Sequence, residues 1–208
     1  MVTKTESACK QCRREGQKLY LKGQRCETSK CGIQKRNYQP GAHPWTRGRP
    51  SEYRIHLREK QKAKRFYGVR DRQFSIYMSK ASRAGGNTGE NLLVLLERRF
   101  DNAVFSLGLA TSRKHARQLI NHGHFTLNGT KCDIPSALVK TGDSIRLRDK
   151  EKIKKVVGEA IEQNKSRGVP PWLEQDPAQF GGQVKDLPQR EHVQFEVDEQ
   201  LIVEFMSR

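Results

Sequence analysis

Apolar residues are scarce in this 208-residue chain: hydrophobic types make up 34% of it and aromatics 7%, so only modest cores can form. The longest apolar run is the five residues of Leu92–Leu96, against the ~20 needed to span a bilayer. The first 20 residues carry Lys4, Glu6, Lys10, Arg13, Arg14 and Lys18, which leaves no apolar stretch for a secretory signal. Secreted and integral-membrane readings are therefore set aside. The chain also lacks a glycine-rich phosphate loop with its lysine, an H-E-x-x-H pair and a nucleophile elbow. The H-x-E with P-C-x-x-C signature of zinc deaminases is missing too. Nothing points to an enzyme. No internal repeat or low-complexity stretch is visible.

Positive charge, by contrast, is abundant. There are 40 Lys and Arg against 23 Asp and Glu, a formal +17, which makes a polyanion, and nucleic acid first, the expected partner. The surplus is uneven. Residues 1–80 hold 21 basic and 6 acidic side chains, a net +15. Residues 81–158 hold 14 and 7, a net +7, and residues 159–208 hold 5 and 10, a net −5. The first part is the expected main binding surface. The acidic tail is either a solvated segment or a surface for another protein.

Turn signals divide the chain. Up to about Trp45, glycines and prolines break any long helix. Ser51 and Glu52 then open a strongly basic helix that Gly68 closes. Asp71 can cap a second helix, with Phe74, Tyr77, Met78 and Ala81 on its apolar face. From Thr88 to about Arg148 the pattern is a compact α/β module. Leu92, Leu93, Leu96, Phe100, Val104 and Leu107 predict one helix ending at Gly108. Thr111 or Ser112 caps a second helix, with Arg113, Lys114, Arg117 and Gln118 gathered on one side. Phe125–Leu127, the Asn128-Gly129 pair and Thr130–Cys132 predict a hairpin. Ser144–Leu147 reads as a third strand, Lys150–Asn164 as a helix and Glu199–Phe205 as a buried strand.

Four of the five cysteines sit in the apolar-poor first segment. Cys9 and Cys12 form C-x2-C, and Cys26 and Cys31 form C-x4-C. Two close pairs suit tetrahedral Zn²⁺ held by four thiolates, and thiolates equally hold an iron–sulfur cluster. A disulfide framework does not suit a reducing compartment. A structural zinc can contribute roughly 10–16 kcal/mol to folding a segment that lacks its own core. Cys132, on the predicted hairpin, reads as a small buried core residue. His122-Gly123-His124 has no carboxylate partner at ligand spacing, and reads as a basic helix end near phosphate or as plain structure.

The run Cys9-Lys10-Gln11-Cys12-Arg13-Arg14-Glu15-Gly16, then Lys18–Gly23, Arg25-Cys26 and Lys30-Cys31, resembles the amino terminus of the bacterial small-subunit ribosomal protein S-four family. Tyr38, Pro40-Gly41, His43, Arg49-Pro50-Ser51, Leu57–Lys62 and Tyr67-Gly68 continue the resemblance. Leu96–Asn102, Leu107-Gly108, Arg117–Ile120, His122–His124, Asn128-Gly129 and Gly142-Asp143 are similar to the RNA-binding module named after that family. Pro171-Trp172-Leu173 and Glu199–Phe205 complete a match that runs the whole chain in order. Two departures stand out. Pro44 follows His43 where the family has Gly, and Thr130-Lys131 is less basic than the family's pair after the hairpin turn.

The resemblance implies an α+β protein in three parts. These are a four-cysteine metal-binding segment at 1–45, a basic helical domain at 46–87 completed by 175–208, and an α/β domain at 88–174. Within the last, a two-helix motif with a small antiparallel sheet would form the RNA-binding module at about 98–160. It further implies a cytoplasmic constituent of the small ribosomal subunit, not an enzyme. Such a protein binds a junction in the 5′ domain of small-subunit rRNA and nucleates that domain's assembly. It contributes to translational accuracy beside the subunit's fifth protein, and in some bacteria it represses its own mRNA. Cys9, Cys12, Cys26 and Cys31 would hold one Zn²⁺, with an iron–sulfur cluster as the alternative. Folded RNA is recognised by shape through phosphates and 2′-OH groups. Arg13, Arg14, Lys35, Arg36, Arg47, Arg49, Arg54, Arg58, Lys62 and Arg65 are the expected phosphate contacts, with Arg113, Lys114, Arg117 and Gln118 on the module. Two rivals carry the same module: an RNA-modifying enzyme and a free-standing RNA-binding regulator. The first would need a catalytic-domain-sized remainder that the matched segments do not leave, and the second resembles only the module and not the cysteine segment.

Overall fold

In a computed structural model that describes residues 7–43, 49–193 and 195–207, side-chain caps set several helix starts. The helices are α1 (Ala8–Glu15), α2 (Gly32–Lys35), α3 (Glu52–Phe66), α4 (Asp71–Arg83), α5 (Thr88–Glu97), α6 (Phe100–Ser106) and α7 (Arg113–Asn121). Strands β1 (Phe125–Leu127), β2 (Thr130–Lys131) and β3 (Ser144–Leu147) follow, then α8 (Glu151–Asn164), β4 (Leu173–Asp176), β5 (Gly181–Val184) and α9 (Glu199–Ser207). Ser51 Oγ accepts from the Arg54 amide at 3.3 Å to start α3. Ser112 Oγ accepts from the His115 amide at 3.2 Å to start α7. Each bond satisfies a donor that the first helical turn leaves unpaired. Among the described residues no helix is long and apolar enough to cross a membrane.

The chain forms two compact units, divided differently from the three expected parts. One holds the described residues up to Phe74 together with those from Val197 onward, and the other runs from Ser75 to Glu196. The cysteine segment thus shares a unit with the basic helix α3. The carboxyl-terminal piece that joins them begins at Val197 and not at residue 175.

In the first unit α9 packs on α3. The Phe205 and Tyr53 rings lie 5.5 Å apart, and Lys60 stands over the Phe205 ring at 5.3 Å. The strand expected at Glu199–Phe205 is this helix. Its start is set by Asp198, whose Oδ1 accepts from the amides of Gln200 at 3.0 Å and Leu201 at 3.3 Å. A short apolar run reads the same for a buried strand and a buried helical turn. The cap decides.

The second unit carries an antiparallel sheet of order β2-β1-β3-β5-β4. Asn128 and Gly129 both have positive φ, 53° and 78°, the twist that a two-residue hairpin turn requires. The Asn128 side chain also donates to Asp143 Oδ1 at 2.8 Å, which fixes β3 beside β1. The expected sheet ended with β3. Strands β4 and β5 extend it, because Gly181 and Gly182 leave room where a Cβ would collide with the carbonyls of Ile145 and Glu174. Helices α6, α7 and α8 cover a core that includes Phe100, Val104, Leu107, Ile120, Phe125, Ile145, Val157 and Trp172. Cys132 packs only at the edge of that core, half-buried, and Ile134 beside it is 57% exposed. The buried role expected for Cys132 is not met, since β2 ends at Lys131.

The single helix expected over Leu92–Leu107 is two. At Arg99 the backbone is extended, with ψ at 137°. Its neighbours bond sideways: Phe100 N to Ala137 O at 2.8 Å, Asp101 N to Pro135 O at 3.1 Å and Val139 N to Arg98 O at 2.9 Å. These long-range bonds replace the helical ones that residues 98–101 give up. The break also points Arg99 inward. Its guanidinium donates from Nε to Asp101 Oδ1 at 3.0 Å, from Nη2 to Oδ2 at 2.7 Å, and from Nη1 to the Tyr77 hydroxyl at 2.7 Å. Arg117 of α7 donates from Nε to the same Asp101 Oδ2 at 2.8 Å. Asp101 is 2% exposed and Arg99 3%. One buried carboxylate therefore ties α4, α6 and α7 together. Removing one partner of a buried ion pair leaves an uncompensated charge and costs about 3–5 kcal/mol. Asp101→Ala is expected to lose stability on that scale in urea unfolding. A loss below about 1 kcal/mol would show that the cluster is not holding the helices.

Candidate nucleic-acid interface and cysteine cluster

The α6–α7 pair presents the module's basic face, and the face has two layers. Arg113 donates from Nε to Asn102 Oδ1 at 2.8 Å and stacks over Phe105 at 4.5 Å. Asn102 in turn donates to the buried Glu97 carboxylate at 2.6 Å. Arg117 is bound to Asp101 and keeps 31% of its side chain exposed. Lys114 and Gln118 are exposed. Of the four residues expected to touch RNA here, two are tied inward by charge-assisted bonds and offer only their outer edges. Two are exposed.

The cations of the first unit divide in the same way. Arg13 donates from Nε to Tyr38 O at 2.9 Å and lies 4.6 Å over the Tyr38 ring. Arg14 reaches Pro40 O at 3.2 Å, and Arg54 reaches Gln39 Oε1 at 3.4 Å. Arg58 and Arg65 both pair with Glu15, whose side chain is fully buried. Burial pushes the Glu15 carboxyl up, against the opposite pull of Arg58 and Arg65. Lys62 pairs with Glu59. Each of these was expected as a phosphate contact. Each also has an acceptor within the chain, a carbonyl or amide oxygen for Arg13, Arg14 and Arg54 and a carboxylate for Arg58, Lys62 and Arg65. Lys35, Arg36 and Arg49 are exposed. Arg47 lies outside the described residues. Exposed Arg70, Arg72, Lys80 and Arg83 on or beside α4 were not among the expected contacts. Their signal was available, since they fall opposite the apolar face of Phe74, Tyr77, Met78 and Ala81.

The four paired cysteines come from three short elements. Cys9 and Cys12 lie one turn apart on α1, Cys26 ends the 3-10 turn Gly23–Cys26, and Cys31 precedes α2. Together with Leu21, Lys22, Arg25 and Ile33 they line one cavity of about 10 Å³, the space of a single water-sized sphere. Cys12, Cys26 and Cys31 are buried and Cys9 is half-buried. Burial pushes the Cys12 and Cys26 thiols up, against hydrogen bonds from the backbone at Leu19 and Lys22 respectively. Neighbouring cysteines push both the same way. A Cβ at Gly32 would stand 2.8 Å from Cys9 Cβ, so the glycine is what lets α2 close against α1. Among the described residues, no group of three or more His, Cys, Asp or Glu side chains is arranged to hold a metal ion. The four thiols line one cavity without forming such a group.

Comparison with known proteins follows the same architecture. Residues 3–97 match the Ribosomal protein S4/S9 N-terminal domain family and residues 98–145 the S4 domain family. The junction between the two falls at the break between α5 and α6. Small ribosomal subunit protein uS4 of Geotalea daltonii is 52% identical over 208 residues, covering all of both chains. Its counterpart in Desulfovibrio desulfuricans is 53% identical over the same span, again with full coverage of both. That of Syntrophomonas wolfei is 53% identical over 205 residues, 98% of each chain. Half of all positions agree from end to end, with both domains in order, and the chain belongs to the small ribosomal subunit protein uS4 family.

Proposed function

We propose that the chain is an rRNA-binding structural constituent of the small ribosomal subunit. It docks on a junction in the 5′ domain of the rRNA, nucleates that domain's assembly, and works beside the subunit's fifth protein in translational accuracy. Its own mRNA is a second RNA of the same recognition class. The observation that carries this reading is the buried Asp101 cluster. It holds α7 so that Lys114, Gln118 and the outer edges of Arg113 and Arg117 stand on one rigid face. Lys114 supplies charge to a phosphate. The Gln118 amide can both donate to and accept from a 2′-OH. Recognition of this kind needs fixed geometry more than base-specific groups, and it needs no catalytic residue.

Charge reversal at Arg117 would bring a carboxylate against Asp101 and test folding, not binding. The discriminating variant is Lys114→Glu with Gln118→Glu. Both positions are exposed, so circular dichroism should be unchanged. Affinity for 5′-domain rRNA should fall about tenfold or more, and the slope of log K against log salt should become shallower by about 1. A well-folded double variant with native affinity would remove this face from the site.

The same reading assigns Cys9, Cys12, Cys26 and Cys31 to one Zn²⁺. Bound there, the ion would crosslink α1, the 3-10 turn and α2. Lys22 and Arg25 beside the cavity would offset the net negative charge of four thiolates around one divalent ion. A cavity this small favours one ion over an iron–sulfur cluster. Elemental analysis of the purified chain should find about one zinc per chain and no stoichiometric iron. Cys26→Ser should abolish binding while leaving the Ser75–Glu196 unit folded by hydrogen exchange. A metal-free protein protected to the same degree around Cys9–Lys35 would contradict the assignment.

A further inference from the structure

The pair His122 and His124 plays no part in the face just described, yet both are held firmly. They flank Gly123, whose φ of 65° turns the chain out of α7. Gly123 N bonds Ile120 O at 2.7 Å, and His124 N bonds Leu119 O at 3.1 Å. That is the bond pattern of a glycine-closed helix end, and it uses up carbonyls that would otherwise be orphaned. The two imidazoles sit 5.9 Å apart. Among the described residues, His124 Nδ1 is buried without a hydrogen-bond partner.

Three cations from other elements converge on this turn. Lys131 of β2 lies across Gly123, its Nζ 3.2 Å from where a Cβ would stand. Arg148, just after β3, donates its amide to His124 O at 2.8 Å and its Nη1 to Gly123 O at 3.2 Å. Lys150 adds its charge to the field at His124. The acids nearby do not cancel them. Asp133 is 3.9 Å from Lys131, with both side chains more than half exposed. Asp149 is engaged by Lys154 at 2.6 Å. The carbonyl end of α7 also favours positive charge at this turn.

We propose that this turn is a second RNA contact, a phosphate site built by His122, His124, Lys131, Arg148 and Lys150, at which the His124 imidazole takes up a proton as the RNA docks. The inference rests on the rRNA-binding reading and adds a linkage to it. Burial first, and then Lys150, His122 and Arg148, hold the His124 imidazole below its ordinary range in the free chain. A phosphodiester set among these cations screens their repulsion and offers an acceptor, so the protonated imidazole, which donates from both nitrogens, becomes the favoured form. The sign follows. The complex binds more protons than the free chain, so affinity rises as pH falls through the imidazole range and levels off above it.

The test measures binding of the full chain to 5′-domain rRNA at fixed salt between about pH 5.5 and 8. One proton taken up per complex gives up to about a tenfold gain in affinity per pH unit. His124→Gln should flatten the profile. Because His124 is partly buried, His124→Asn with native circular dichroism serves as a second variant and should flatten it too. Lys114→Glu should lower affinity at every pH and keep the slope. A flat wild-type profile, or a slope that persists unchanged in both histidine variants, overturns the proposal. Wild-type chain that fails to bind at any pH overturns the rRNA-binding reading instead.

Discussion

Asp101 accepts hydrogen bonds from Arg99 and Arg117 while almost wholly buried. A carboxylate in that position cannot be left unpaired, and its two partners are Arg99, just before α6, and Arg117 on α7. Meeting the need forces the chain out of helix at Arg99, lets residues 98–101 bond to residues 135–139, and sets the rotation of α7 about its axis. Buried ion pairs add little net stability compared with apolar packing. What this one does is specify: it leaves one orientation in which Lys114 and Gln118 face solvent. A surface that recognises the shape of folded RNA depends on that kind of fixed spacing.

The cationic surplus consequently has two uses. Arg58 and Arg65 on Glu15 and Arg117 on Asp101 hold elements together, while Lys62 is held on Glu59 within α3. They stand in for the apolar contacts that a chain with 34% hydrophobic residues can supply only sparingly. Lys35, Arg36, Lys114 and the cations along α4 stay at the surface. Net charge by sequence position counts both populations alike, whereas the structure separates cations with an acid partner from those at the surface.

Local signals were legible in the sequence and long-range ones were not. Ser51, Ser112 and the Asn128-Gly129 turn act through neighbours within a few residues, so spacing alone reveals them. The break at Arg99 depends on carbonyls at Pro135 and Ala137, some 35 residues away, and periodicity across Leu92–Leu107 carries no trace of it. Strand β5 was hidden because Gly181-Gly182 reads as a breaker, whereas here the glycines admit the neighbouring strands' backbones. The run at Glu199–Phe205 was ambiguous until the Asp198 cap was weighed. On α7, residue type picks out Arg113, Lys114, Arg117 and Gln118 alike, and only the buried partners separate Arg113 and Arg117 from Lys114 and Gln118.

The division of cations can be read directly by acetylation footprinting of the full chain with and without 5′-domain rRNA. Lysines that face RNA should react in the free chain and lose reactivity in the complex. Lys35, Lys80 and Lys114 belong to that set. Lys62, held on Glu59 and mostly buried, should react slowly in both states and change little. Protection of Lys114 with an unchanged Lys62 is the result the account predicts. Strong RNA protection of Lys62 with Lys114 left reactive would contradict it.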